Sequence, residues 1–320
     1  MDKPELLINV KSAQEIELLA TAGVCAFVIG DVRFALMARG SFQKKGLEEA
    51  VELAHALEKK VYLLIDAIFS SEVLIELERY LYDIKYIQFD AVRVADIGVY
   101  MLVTKIMPKM PIHFVDAMML TNYVTVNYWA NKGITRVRLA HELTLDEVLE
   151  IKQLSTCEIE VLIQGASLMF TSRRKLVDNY LDFQRMIKKQ VSIIKKGNYL
   201  YDKERELYYP IIQNDHGTHI YGGNDVCMVD DLARLISVGI DVLYIESFTY
   251  KTQDLVKIVN LYRVAIDLFI NSKKRYREMG RALYAEVDKL QPANRQMDRG
   301  FYYKPTIYKN KINKPKKWRD

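Results

Sequence analysis

Six carboxylates in this 320-residue chain follow short runs of branched and aromatic residues: Asp31, Asp66, Asp90, Asp116, Glu142 and Glu246. Asn9 and Gln164 stand in equivalent places. Carboxylates gathered at one place can hold a cation, exchange protons as acid and base, or bind a positive group. Taken singly, each also suits the cap of a following helix, because a carboxylate there accepts from free backbone N–H groups. His55 reads as a surface residue and His113 as a core residue. His141, beside Glu142, and the pair His216 and His219 in Asp215-His216-Gly217-Thr218-His219 are better placed for chemistry. That pair resembles half of a metal site, but no HExxH or CxxC pattern accompanies it, so the zinc signal is weak. Nucleophilic catalysis finds little support: there is no GxSxG elbow, and none of Cys25, Cys157 and Cys227 has a visible histidine partner. Cys227 is expected to open a helix, where the helix N-terminus would depress a thiol pKa.

Positive charge is placed unevenly. The net charge is +5, and residues 304–320 hold seven Lys/Arg against one acid, interleaved with Tyr308 and Trp318. Lys316, Lys317 and Arg319 close this tail. Such a tail can serve as an arm for a nucleic acid, through counterion release and base stacking, or be a solvated terminus. A second basic group, Arg173, Arg174, Lys175, Arg185, Lys188 and Lys189, offers a stripe for phosphates or a solvated helix face.

These residues need a frame to hold them. Eight apolar runs, at 6–10, 26–30, 61–65, 86–90, 112–115, 136–140, 160–163 and 242–246, alternate with amphipathic stretches. The stretches include 12–22, 45–59, 71–81, 121–132, 144–154 and 229–238. Ser12 with Glu15, and Thr144 with Glu147, have capping-box spacing; Ser70 and Thr121 also stand at helix starts. Continuous apolar strands alternating with helices predict a parallel sheet covered on both faces. The fold class is therefore α/β, a TIM-like (β/α)8 barrel with complete or imperfect closure; an open doubly wound sheet is the alternative. A glycine-rich phosphate loop is absent, which argues against a dinucleotide or P-loop fold. The barrel is expected over residues 1–300, with an insert at 165–240 after strand seven and the basic tail at 301–320. Within the insert, 173–196 reads as a basic helical stretch and 199–221 as a tyrosine-rich segment. The acids converge on the barrel's C-terminal mouth, where the enlarged loop also belongs. A small anion is expected there too, held by helix N-termini with Arg33 or Arg93, and with Asn122, His216 and Cys227 as further candidate ligands.

Mean hydropathy is −0.08 and charged or polar residues break every apolar run, so no membrane span is expected. The first residues show no secretory pattern, and three cysteines make no disulfide framework. A soluble cytoplasmic protein is the expectation.

Several segments together resemble the peptidase U32 (collagenase-like protease) family: Glu160-Val161-Leu162-Ile163-Gln164-Gly165-Ala166, Ala140-His141-Glu142-Leu143-Thr144-Leu145-Asp146-Glu147, Asp215-His216-Gly217-Thr218, Asp225-Val226-Cys227-Met228 and Gly239-Ile240-Asp241. The likeness extends over most of residues 1–270 and implies a barrel. The family name implies a peptidase. Its better-understood members are oxygen-independent hydroxylases of tRNA wobble uridine, ribosomal RNA cytidine or a quinone precursor. They carry an iron–sulfur cluster on four cysteines, and the RNA-modifying branch is linked to prephenate.

This chain departs from that pattern at the cluster. Leu168, Lys175 and Val191 fall where three of the cysteines are expected, leaving Cys227 alone. One thiolate cannot hold a cluster that needs four ligands. Gln164 replaces a histidine common in the family, Arg173 replaces a glycine, and Phe248 stands where an arginine is usual. The chain thus resembles the shorter, cluster-lacking member of paired genes in Gram-positive bacteria, both tied to tRNA 5-hydroxyuridine formation.

Three functions follow as expectations. The first is a subunit in prephenate-dependent tRNA hydroxylation, with no cofactor of its own and a cluster-bearing paralogue as partner. The second is a metal-dependent peptidase in which mouth carboxylates with His216 and His219 hold a divalent ion that activates water, the catalytic candidates at the mouth being Asp31, Asp66, Asp116, Glu142, Gln164 and Glu246. The third is a non-catalytic scaffold for the paralogue.

Overall fold

The computed structural model describes residues 3–115, 119–186, 198–293 and 295–304. Seven strands come first: β1 (Glu5–Asn9), β2 (Ala26–Ile29), β3 (Lys60–Ile65), β4 (Ala91–Val94), β5 (Ile112–Phe114), β6 (Ile134–Arg138) and β7 (Glu158–Ser172). Helices α1 (Ala13–Ala22), α2 (Lys44–Ala56), α3 (Ser71–Ile84), α4 (Ile97–Ile106), α5 (Tyr123–Asn131) and α6 (Leu145–Leu154) separate them. An insert follows, with α7 (Leu176–Met186), β8 (Asn198–Asp202), β9 (Leu207–Asn214) and β10 (Gly217–Cys227). The chain then returns through α8 (Ala233–Val238) to β11 (Val242–Ile245), and ends in α9 (Thr252–Asn271), α10 (Lys273–Asp288) and β12 (Met297–Asp298).

Strands β1 to β7 pair in parallel order, and β11 pairs with both β1 and β7. The barrel is therefore closed, with eight parallel strands. Side chains alternate between the two faces of each strand. Leu6, Ile8, Phe27, Ile29, Leu63 and Val92 face outward, where the helices cover them. Helix α9 shows the matching pattern, burying Leu255, Ile258, Val259, Tyr262, Ala265, Ile266 and Phe269. Each fully buried Leu, Ile or Phe of that stripe contributes about 1.5–3 kcal/mol.

The basic stretch expected to be helical at 173–196 holds α7 among its described residues, and the tyrosine-rich segment expected at 199–221 forms a sheet. β7 is 15 residues long; its first half forms barrel wall and its second half pairs antiparallel with β10, which carries β9 and β8. Only α7 is helical among the described residues 173–186, and 187–197 lie outside them. The tail boundary also differs. Tyr302 is buried, its hydroxyl donates to the Leu162 carbonyl at 2.7 Å, and β12 pairs with β10, so residues 297–304 belong to the body. Lys316, Lys317 and Arg319 lie outside the described residues.

Capping agrees in part. Thr144 and Glu147 form the full capping box of α6. Ser12 makes no cap bond, because Glu15 is buried against Arg39 and accepts from the Lys11 backbone N–H instead. Helix α5 is capped by Asn122, one residue after Thr121. Among the described residues, no helix is long and apolar enough to cross a membrane.

Candidate active site at the barrel mouth

The barrel interior is ionic to an unusual depth, and its charges lie in tiers. At the N-terminal end, Glu5 accepts from Arg136 at 2.7 Å, Lys60 at 3.0 Å and the Tyr62 hydroxyl at 2.8 Å. Midway, Arg93 makes two hydrogen bonds to Glu160, at 2.6 and 2.7 Å, with both side chains fully enclosed. Burial pushes the Glu160 carboxyl up, but Arg93, Arg138 and Arg136 outweigh it and hold it below the usual range. Arg93 was expected past the end of a strand as an anion ligand; it lies inside β4, turned into the barrel, with both terminal nitrogens bound to Glu160 and its Nε without a partner among the described residues.

At the C-terminal mouth the balance changes. Asp66 accepts from the backbone N–H groups of Leu36 at 2.7 Å and Met37 at 3.3 Å. Glu246 accepts from the Tyr244 hydroxyl at 2.5 Å and from the Ser247 N–H at 2.9 Å. Burial raises the pKa of both carboxyls despite these bonds. Arg138 stands between them and β5. Its guanidinium lies over the Tyr244 ring at 5.1 Å and donates to the Val115 carbonyl at 3.3 Å. Among the described residues it makes no ion pair. Burial would lower its pKa, but the surrounding Tyr244, Glu160, Glu246 and Asp66 raise it, so it remains a fixed cation. Beside it, His141 has a buried Nε2 with no partner, and burial followed by Arg138 lowers its pKa to about 4. Arg138, His141, Leu168, Tyr244, Glu246 and Met37 line one pocket. A second adjoins it through Met37 and Glu246, lined also by His219, Tyr221 and Phe248.

The insert overhangs this mouth. The Tyr221 and Phe248 rings lie 4.3 Å apart between centroids. At the hairpin tip, the His216 Nε2 meets the Val32 carbonyl at 2.5 Å, joining the insert to the loop after β2. His219 is fixed by Thr171 at 2.7 Å, and burial followed by His216 lowers its pKa to about 4.

Other expected residues fall elsewhere. Asp31 is buried and paired with Arg33, which also reaches Glu76, so Arg33 is not a free anion ligand. Glu142 is exposed at the rim. Asp116 lies outside the described residues. Asp90 is at the opposite pole, because its strand begins at Ala91; it accepts from the Val61 N–H at 2.7 Å. Asn122 is occupied in capping α5 through the Thr125 N–H at 2.9 Å. Gln164 is turned behind the sheet by a register shift in β7. There it donates to the Tyr250 hydroxyl at 2.6 Å and accepts from the Tyr262 hydroxyl at 2.8 Å. Cys227 ends β10 and opens no helix; burial raises its thiol pKa to about 11.

An iron–sulfur cluster does not fit these residues. Leu168 packs with Ala166 and Tyr221, Lys175 is exposed near Asp215, and the Cys227 thiol is buried beside the Tyr262 hydroxyl. Val191 lies outside the described residues. Among the described residues, no group of three or more His, Cys, Asp or Glu is arranged to hold a metal ion, His216 and His219 included. Arg173 and Arg174 are exposed on the insert and Arg185 is paired with Asp182; Lys188 and Lys189 lie outside the described residues.

Arg138 is the mouth residue that sequence reasoning passed over. Its signal was the alternation in Arg136-Val137-Arg138, which turns both arginines inward.

The model of peptidase family U32 matches residues 11–311. The chain belongs to that family. It is 37% identical over 313 residues to tRNA hydroxylation protein P2 of Bacillus subtilis, covering 96% of this chain and 100% of that one. It is 28% identical to tRNA hydroxylation protein P of Escherichia coli, covering 83% of this chain and 68% of that one. Tying the U32 chain to a further relative, tRNA hydroxylation protein P1 of Bacillus subtilis, is 24% identity, covering 94% of this chain and 71% of that one.

Proposed function

We propose that this chain is a component of tRNA hydroxylation and that a partner carries the redox chemistry. The observation behind this is the match along the whole of a tRNA hydroxylation protein P2 at 37% identity. The aliphatic and cationic residues at Leu168 and Lys175 support the division of labour, since neither side chain can ligate iron. The partner in this reading is a cluster-bearing U32 paralogue, the modified base is the wobble uridine, and both proteins work in the cytoplasm.

The mouth supplies a role for this chain's own residues. Arg138 is a fixed guanidinium without a carboxylate partner among the described residues, and guanidinium binds carboxylates through paired charge-assisted bonds. We propose that it receives a small carboxylate, prephenate in the family's reading. Glu246 and Asp66, with their raised pKa values, can remain protonated beside such an anion more readily than ordinary carboxyls.

The test is mass spectrometry of tRNA from a strain lacking the gene. Loss of 5-hydroxyuridine derivatives is expected; unchanged tRNA rejects the proposal. Anaerobic purification of the chain alone should give colourless protein, and brown protein with stoichiometric iron and sulfide rejects the assignment of the cluster to a partner.

A further inference from the structure

The outer edge of the insert carries three tyrosines that the folded chain leaves in water. Tyr199, Tyr201 and Tyr208 are 51%, 50% and 45% exposed. Tyr201 and Tyr208 are cross-strand partners, with ring centroids 4.6 Å apart and planes at 29°; Tyr199 meets Tyr208 edge-on at 6.2 Å. Three large rings presented to solvent as one cluster are costly to leave unused.

Side-chain alternation shows where this cluster leads. Tyr208, Pro210 and Ile212 share one face of β9, because strand side chains repeat every second residue. Tyr199 and Tyr201 stand opposite Pro210 and Tyr208, and Ile212 stands opposite His219 on β10. Ile212, His219 and Tyr221 line the pocket at the mouth together with Glu246. One face of the insert thus runs from the exposed tyrosines to the barrel mouth. The distance along β9 from Tyr208 to Ile212 is about 13 Å. Positive charge lies at the tip of the β9–β10 hairpin, beyond the mouth end of this face: Arg173 and Arg174 are exposed just past β7, beside Gly217 and Thr218, and among the described residues neither side chain has an anionic partner.

We propose that this face is a stacking platform for unpaired bases of an RNA strand, leading one nucleotide to the barrel mouth. The inference rests on the reading of the chain as a tRNA hydroxylation component, and specifies where the RNA lies. An RNA strand fits better than an apolar protein surface, because the exposed rings are tyrosines rather than aliphatic side chains and two exposed arginines stand beyond the mouth end of the path. Aromatic rings with adjacent cations suit single strands, where every base offers a face to stack and every phosphate a charge.

The test uses the full chain and fluorescence anisotropy with a short uridine-containing single-stranded RNA, set against the same sequence as a duplex. The single strand is expected to bind more tightly. Tyr201→Ala and Tyr208→Ala should each weaken it about ten-fold or more, while Tyr201→Phe and Tyr208→Phe retain affinity. The alanine variants should keep the salt dependence of wild type, whereas Arg173→Gln with Arg174→Gln should flatten it. Unchanged thermal stability in the alanine variants would show that folding is intact. Wild-type affinity in those variants, or no binding by wild type, overturns the platform. So does loss of a co-purifying paralogue with RNA affinity retained. The two proposals fail separately: unchanged tRNA in the deletion strain rejects the functional reading, whereas alanine variants that restore hydroxylation fully and bind RNA normally reject only the platform.

Discussion

Arg93 on β4 and Glu160 on β7 meet inside the barrel through two hydrogen bonds, and neither side chain reaches solvent. The pair joins strands separated by β5 and β6, so it ties opposite walls together. Breaking it should be costly in one direction only. Glu160→Gln leaves a buried guanidinium without its counter-charge and is expected to lose about 3–5 kcal/mol. Replacing both, Arg93→Met with Glu160→Leu, should recover most of that loss. Because the Glu160 pKa is lowered in the folded chain, its contribution is present above its unfolded value and fades as pH falls through the folded one. Melting temperatures of wild type and Glu160→Gln should therefore converge in acid; a constant difference would show the pair is not the titrating element.

Glu246 shows the opposite sign. Its folded pKa is raised, so whatever it contributes is present below the unfolded value, near 4.5, and lost as pH rises through the folded value. Glu246→Gln, which keeps an oxygen for the Tyr244 hydroxyl, should melt above wild type near neutral pH and match it in acid. Equal melting curves at every pH would refute a carboxyl whose charged form is disfavoured by burial.

Arg138 can be tested by ligand protection. A small dicarboxylate should raise the melting temperature of wild type, reaching about 2.7 kcal/mol of stabilisation at a hundred times its dissociation constant. Arg138→Gln should show no such shift while folding normally. Protection that survives the substitution would place the anion elsewhere.

Gly165 is the point where β7 leaves the barrel. Its φ is +99°, and a Cβ there would lie 2.2 Å from the Glu246 carbonyl oxygen. Gly165→Ala should lose at least about 1–2 kcal/mol from the left-handed backbone alone, with displacement of Glu246 in addition. Denaturant titration measures this, and a loss below about 0.5 kcal/mol would mean the two strands separate freely.

The barrel was legible because its strands are continuous apolar runs with helical spacers between them. The site was legible in part. Glu246 and Asp66 follow their strands closely and reach the mouth, but Asp90 does not: Tyr86, Ile87 and Phe89 resemble a strand, yet pairing begins only at Ala91. Arg138 was hidden inside a run counted as barrel wall. The insert misled most. Its cations at 173–196 suggested a helix, which α7 supplies among the described residues, but β7 continues through Gly165 into an outer sheet, a choice set by pairing with β10 that no local pattern announces. The same long-range pairing placed Cys227 in a strand and Gln164 behind the sheet.

The positions Leu168 and Lys175 belong to the appended portion of the chain, past the point where β7 leaves the barrel, whereas Cys227 sits in the barrel's outer core opposite Gln164. The Arg93–Glu160 and Glu5–Arg136 bridges lie wholly within the closed cylinder. Substitutions at Leu168 and Lys175 therefore leave the scaffold's electrostatic keystones untouched, which makes the chemistry of this architecture separable from its foldability.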